Sequence, residues 1–296
     1  MSFSSRILKG VIRSVQSRAI AYSLEEIKPR IGVYPYISGD AFLALSDIAF
    51  LRDMEGAVDL GRNSLSEVVF FETEQIVNHK NRLTDGAVVI VHNGDAPLNQ
   101  EEISLLRQSN CRVFATNTPR QDWFIEPIPI GLENVHHQRN GSLHYFNPLN
   151  LAKLSLEKKR DVLVSFSVGT NPAERKRILE TCQGYGFENE KMKLGEFRQR
   201  IAESRFVISP PGNGIDCHRT WEAMYHKTVP VIEARYNLFQ HIELPILTVN
   251  SYHDFFKMSL DERLSLYHKI MSRGYPALFM DYWIDLINKA RGYGSH

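Results

Sequence analysis

The stretch Ser209-Pro210-Pro211-Gly212-Asn213-Gly214-Ile215-Asp216-Cys217-His218-Arg219-Thr220-Trp221-Glu222-Ala223 gathers residue types that handle anions. Glycines let a backbone approach an anion closely, and the N–H groups at a helix start point toward it. Pro210-Pro211 stiffens the entry and lowers the cost of holding the loop ready. Gly212 and Gly214 flank Asn213, a residue that tolerates left-handed geometry. Asp216 is suited to cap the helix that follows. Arg219 and Glu222 are three apart and share one helix face. A guanidinium binds phosphate oxygens bidentately, so Arg219 suits a diphosphate, and Glu222 suits ribose hydroxyls. His218 is a candidate electrophile or base contact. Cys217 reads as a small filler and Trp221 as core. The same residues would also make a structural turn with a surface Arg–Glu pair.

Two further kinds of strand end carry polar groups. Ser165-Phe166-Ser167-Val168-Gly169-Thr170-Asn171 turns into a helix with Arg175 one turn inside it, which puts Asn171 and Arg175 near an anion-binding mouth. His92-Asn93-Gly94-Asp95 ends an apolar strand. Asp95 is the first candidate for a general base, His92 shares the role, and Asp40 in Ser38-Gly39-Asp40 is the second candidate. Asp40 also reads as a helix N-cap, and the 92–95 stretch as a turn with a capping Asp. Ile128 to Asn134 is expected to enter the same cleft.

The elements that must hold these residues follow from periodicity. Strands are expected at Ile31–Tyr36, Glu67–Phe71, Val88–His92 and Arg112–Thr116, with helices at Ala41–Met54 and Gln100–Gln108. Residues 137 to 160 are linker-like, with Asn140-Gly141-Ser142, Asn147-Pro148 and a charge run from Glu157. The pattern then restarts. Strands are expected at Asp161–Phe166, Arg205–Ser209, Val229–Ile232 and Ile246–Val249, and helices at Pro172–Thr181, Gly195–Ser204 and after Asp216. Alternating strand and helix predicts an α/β class with parallel sheets, in which ligands gather at the carboxyl ends of strands. Tyr275 to Ala290 reads as an amphipathic closing helix. The expected organisation is a basic amphipathic helix at 1–22, one Rossmann-like domain at 23–150, and a second at 151–296 that includes the closing helix.

Composition narrows the function classes. The chain has 296 residues, 43% hydrophobic and 23% charged, with net charge +1, so no global field favours nucleic acid. Cys111, Cys182 and Cys217 form no CxxC pair, which suggests neither a zinc site nor a disulfide framework and fits a reducing cytoplasm. No apolar run is long enough to span a bilayer. Residues 1–22 carry Arg6, Lys9, Arg13 and Arg18 and no acid, with apolar residues at helical spacing. Peripheral contact with an anionic membrane is one reading of that segment, and a short capping helix is the other.

With these residues in place, a resemblance emerges. "SPPGNGIDCHRTWEA" and "VPVIE", together with "VSFSVGTNPAERKR", "IVHNGD" and "IPIGLEN", resemble the pattern of exostosin-type glycosyltransferases, and in particular the exostosin-like domain of ribitol xylosyltransferase relatives. The resemblance implies a GT-B fold of two Rossmann-like domains facing a cleft. It implies transfer of a sugar from a nucleoside diphosphate to a glycan or lipid-linked acceptor hydroxyl, with no metal and no further cofactor. Arg175, Ser209, Pro211, Gly212, Asn213, Gly214, Arg219 and Glu222 would be donor-side residues. The chain contains no DxD triplet, in keeping with metal-independent transfer, and the expected mechanism is inverting. The other expectations left standing are another nucleotide-sugar enzyme, such as an epimerase, and a non-catalytic carbohydrate- or nucleotide-binding subunit of a glycan assembly complex.

Overall fold

The computed structural model describes residues 34–52, 56–60, 67–121, 123–137, 146 and 157–292. The basic segment 1–22 lies outside them. The chain divides into two units, Met1–Gly141 with Phe279–His296, and Ser142–Leu278. The break falls inside the linker-like stretch that the sequence marks.

In the first unit the strands are β1 (Ile48–Phe50), β2 (Val58–Asp59), β3 (Val68–Glu72), β4 (Val88–His92), β5 (Arg112–Ala115) and β6 (Ile125–Pro127). They form one sheet in the order β2-β1-β3-β4-β5-β6. Only β2 runs antiparallel to its neighbour. All five residues of β4 are buried, as expected for a central strand covered on both faces. The β3–β4 register sets Glu72 beside His92 at the carboxyl end. Helix α1 (Gly39–Leu43) starts at Ser38, whose hydroxyl accepts from the Ala41 N–H at 3.2 Å. Helix α2 (Gln100–Gln108) starts with a capping box, Asn99 with Glu102.

The expected helix at Ala41–Met54 is corrected here. It stops at Leu43, and β1 follows. Asp47 explains the change: its backbone N–H donates to the Val68 carbonyl at 2.8 Å and its Oδ2 accepts from the Val68 N–H at 2.7 Å. That pairing draws the chain into the sheet, and short apolar runs cannot tell strand from helix by period alone. Within the expected Ile31–Tyr36 strand, residues 34–36 form a turn with a cis Tyr34–Pro35 bond.

In the second unit β7 (Arg160–Leu163), β8 (Ser204–Ile208), β9 (Val229–Glu233) and β10 (Leu247–Val249) form an all-parallel sheet in the order β10-β9-β8-β7. Helices α3 (Pro172–Gly184), α4 (Leu194–Glu203), α5 (His218–Tyr225), α6 (Tyr252–Lys257) and α7 (Leu260–Met271) accompany it. The core on one face joins Ile178, Phe206, Val231, Phe255 and Tyr267, and a smaller one on Leu163, Ile201, Val207 and Ala223 lies under α4 and α5. This α/β architecture is compatible with a Rossmann-like fold. Among the described residues, no helix is long and apolar enough to cross a membrane.

The closing helix α8 (Met280–Ala290) clusters with the first unit, not with the second where the sequence places it. Asp281 accepts from the Tyr34 hydroxyl at 3.0 Å, Arg291 pairs with Asp47 at 3.1 Å, and Trp283 lies edge-on to Phe42. Trp283 and Ile287 are fully buried, so the amphipathic pattern reflects packing.

Candidate functional site

The second unit carries a cavity of about 760 Å³ at the carboxyl end of β7. Its floor and walls include Phe166, Val168, Met192 and Phe197, with Asn189, Lys191 and Arg219 as polar groups. A few polar groups converging on an apolar cavity of this size is the usual form of a small-molecule site. The segment before α4 is held in place by main-chain pairing. Glu190 N–H donates to the Val164 carbonyl at 2.9 Å, and the Asn189 side chain takes the Phe166 N–H at 3.1 Å and gives to its carbonyl at 3.0 Å. Asn189, Lys191 and Phe197 are absent from the sequence-predicted site. They follow α3 with no strand signal, and only the fold brings them beside the 165–169 turn.

The 209–214 loop is not part of the cavity lining; Arg175 ties it to the 165–169 turn. Its Nε donates to the Pro211 carbonyl at 2.8 Å, and its Nη1 to the Ser167 carbonyl at 2.7 Å. Asn171 donates to the Gly212 carbonyl at 3.1 Å, and the Gly212 N–H donates to the Gly214 carbonyl at 2.9 Å. Gly212 leaves little room: a Cβ there would lie 3.0 Å from Arg175 Nη2 and 3.4 Å from the Cys217 sulfur, so those side chains would have to shift by a few tenths of an ångström. Ser209 is buried, with its hydroxyl 2.9 Å from that of Thr220, while Asn213 is exposed. Arg175 is thus committed to loop carbonyls.

Asp216 does not cap α5. Cys217 is the N-cap residue and supplies no side-chain bond. Asp216 instead accepts from the buried Trp221 indole N–H at 2.9 Å and from the Cys217 N–H at 2.9 Å, which anchors the loop to the core. The Cys217 side chain thus caps none of the first N–H groups of α5. His218 is half-buried at the first position of α5, and Arg219 follows it.

Arg219 is the group that stands out. Its Nε and Nη1 are buried and have no hydrogen-bond partner among the described residues, although it lines the cavity. Its guanidinium carbon lies 6.0 Å from the Phe197 ring centre. Burial lowers its pKa from the ordinary arginine value, and Cys217, Glu222 and Tyr252 oppose that. Burial and the nearby Arg219 charge likewise lower that of Arg175. Two guanidinium groups thus concentrate positive charge at one loop. Burial raises the pKa of the Cys217 thiol, which keeps it protonated and agrees with its reading as filler.

Glu222 is one turn further along α5 and is not part of the cavity wall. It is buried and pairs with Arg198 Nη2 at 3.5 Å, and burial raises its pKa. Arg198 is 1% exposed and lies 5.5 Å from the Phe146 ring centre. This pair joins α4 to α5 across a separation that the sequence does not reveal.

In the first unit the structure gathers Ser38-Gly39-Asp40, His92-Asn93 and the 128–134 segment at the carboxyl ends of β3 and β4. Leu132 N–H donates to the Ile37 carbonyl at 2.7 Å, and Asn134 bonds to both Asn93 and Asp40. Asp40 Oδ2 accepts from the Val135 N–H at 2.9 Å, while the N-cap role falls to Ser38. His92 is 2% exposed; its Nε2 lies 3.1 Å from the Pro129 carbonyl and its Nδ1 2.7 Å from the Asn93 N–H. Nδ1 also lies 2.9 Å from Asn93 Oδ1, so the ring is held between the Pro129 carbonyl and Asn93. Asp95 lies on an exposed turn. Asn93 and Asn134 are the members that sequence reasoning passed over as candidate site residues.

No known family model matches the chain, and no curated protein matches it.

Proposed function

We propose that the chain is a glycosyltransferase of the GT-B kind, and that its second unit binds the diphosphate of a nucleotide-sugar donor. The observation that carries this reading is Arg219: a cavity-lining guanidinium with two buried donors that have no partner among the described residues. Buried unpaired donors are costly, and a charged oxygen ligand satisfies them with strong hydrogen bonds. The apolar surfaces of Phe166, Val168 and Phe197 suit the nucleoside. Arg175 and Asn171 hold the 209–214 loop rigid, so their part is to position it. Lys191, exposed at the cavity, adds a second cation for the donor.

Transfer requires positive charge on the leaving diphosphate and a base for the acceptor hydroxyl, with a glycan or lipid-linked acceptor. Arg219 supplies the charge. Asp40 supplies the base, supported by the fixed geometry of its carboxylate; Asp95, on its exposed turn, is the alternative. The reading places no metal or cofactor in the reaction.

A thermal-shift screen with UDP, GDP, ADP, CDP and TDP tests the donor site. Binding to the native state raises its melting temperature by mass action. One diphosphate should raise it in the wild type and fail to do so in Arg219→Ala. No shift with any diphosphate, or equal shifts in both proteins, refutes the assignment.

A further inference from the structure

We infer that Asn93 and Asn134 are positioning residues that aim the Asp40 carboxylate; the inference rests on the transferase reading. The Asp40 N–H donates to Asn134 Oδ1 at 3.0 Å. Asn134 Nδ2 donates to Asn93 Oδ1 at 2.9 Å, and Asn93 Nδ2 donates to Glu72 Oε1 at 3.4 Å. The ends of this chain fix its polarity. A main-chain N–H only donates and a carboxylate only accepts, so both amide orientations are determined. The return contact comes from the next residue, whose N–H (Val135) donates to Asp40 Oδ2 at 2.9 Å. Asn134 thus holds the backbone of Asp40 while the backbone beside Asn134 holds the carboxylate of Asp40. Glu72 is tied to the main chain by the Arg52 N–H at 2.6 Å, which closes the far end.

Two further features show that this arrangement is tightly determined. Asn93 has φ of +62°, a left-handed conformation that glycine adopts more readily. Asparagine is among the few other residues that take it up routinely, as Asn110 and Asn117 also do in this chain. At position 39 a Cβ would lie 1.9 Å from Asn93 Oδ1 and 2.9 Å from both amide atoms of Asn134, so the network occupies the space a side chain would need. Asparagine at 93 both accepts the left-handed backbone and supplies the amide of the relay. The relay lies at the carboxyl ends of parallel strands, where ligands gather in such sheets, and Asp40 is half-exposed.

The test is Asn93→Gly, which keeps the left-handed backbone accessible and removes the amide. Wild type and variant are compared by melting temperature, by donor KM and by kcat for diphosphate release from UDP- and GDP-sugars, with octyl glycosides as acceptors. The expected split is an unchanged melting temperature and donor KM with kcat lowered about tenfold to hundredfold, the scale of a misplaced reacting group. Asn134→Ser should show the same split and decides the matter if Asn93→Gly fails to fold. Unchanged kcat in a folded variant overturns the inference while leaving the transferase reading standing. Equal loss of kcat and of donor affinity also overturns it. Donor consumption absent in the wild type overturns the reading beneath it.

Discussion

Replacing Arg219 by methionine separates its cost to folding from its value to the ligand. Methionine keeps an unbranched apolar side chain and removes the charge. In the free protein, two buried donors without partners cost roughly 1–3 kcal/mol each, while the ring contact returns about 0.5–1 kcal/mol. Arg219→Met should therefore stabilise the free protein by about 1–2 kcal/mol, even after imperfect packing of the new side chain is allowed for. At roughly 2–4 °C per kcal/mol, that is a rise of several degrees in melting temperature. With the diphosphate bound, Nε and Nη1 make two charge-assisted bonds worth roughly 1.5–3 kcal/mol each. Their loss should weaken diphosphate affinity about 10²–10⁴-fold, since each ~1.4 kcal/mol is a factor of ten. Scanning calorimetry reads the first quantity and titration calorimetry with nucleoside diphosphates the second. A lowered melting temperature with unchanged affinity would refute the reasoning, because Arg219 would then be a structural cation.

Other predictions concern the frame around the site. Arg198→Met should cost roughly 3–5 kcal/mol in urea unfolding, because it leaves the Glu222 carboxylate buried without its counter-charge, and adding Glu222→Leu should recover most of that loss. His226 is fully buried with neither ring nitrogen hydrogen-bonded among the described residues, and burial, aided by Lys158 and Arg198, pushes its pKa down to about 3. Its folded value lies below the ordinary 6.5, so its contribution is complete above pH 6.5 and is lost as pH falls toward 3. Unfolding free energy should drop by roughly 2 kcal/mol between pH 6.5 and pH 5 from this group, and His226→Phe should flatten that slope. Gly131 has φ of +67°, and a Cβ there would lie 2.3 Å from the Ile37 carbonyl oxygen; Gly131→Ala should destabilise the first unit by roughly 2 kcal/mol or more, read by hydrogen exchange at β3 and β4.

The sequence reads well where one local pattern dominates. Val88–His92 is a run of apolar residues ended by polar ones, and it is the strand that forms. The Asn99–Glu102 pair brackets the start of the helix expected at Gln100. Trp221 is core, as its place on an apolar helix face suggests. The sequence misleads where a distant partner decides. Ala41–Met54 has enough apolar residues for a helix, but Asp47 pairs with Val68 and turns the segment into the sheet. Asp216 looks like a helix cap because caps are local, yet the Trp221 indole claims it. The site divides the same way. Arg219 is legible because a cation at a Gly-rich helix start has a direct physical meaning. The roles of Arg175 and Asn134 are not, because they depend on partners 36 and 94 residues away. Whether an arginine grips a ligand or a loop depends on which carbonyls the fold brings to it.

The most direct test of the central claim is diphosphate release from a panel of nucleotide sugars by the wild type and by Arg219→Met, with octyl glycoside acceptors and product detection by mass spectrometry. The account predicts that one donor is consumed by the wild type with glycosylated acceptor formed, and that Arg219→Met is silent at the same donor concentration. Donor bound but never consumed, or equal turnover by both proteins, would contradict it.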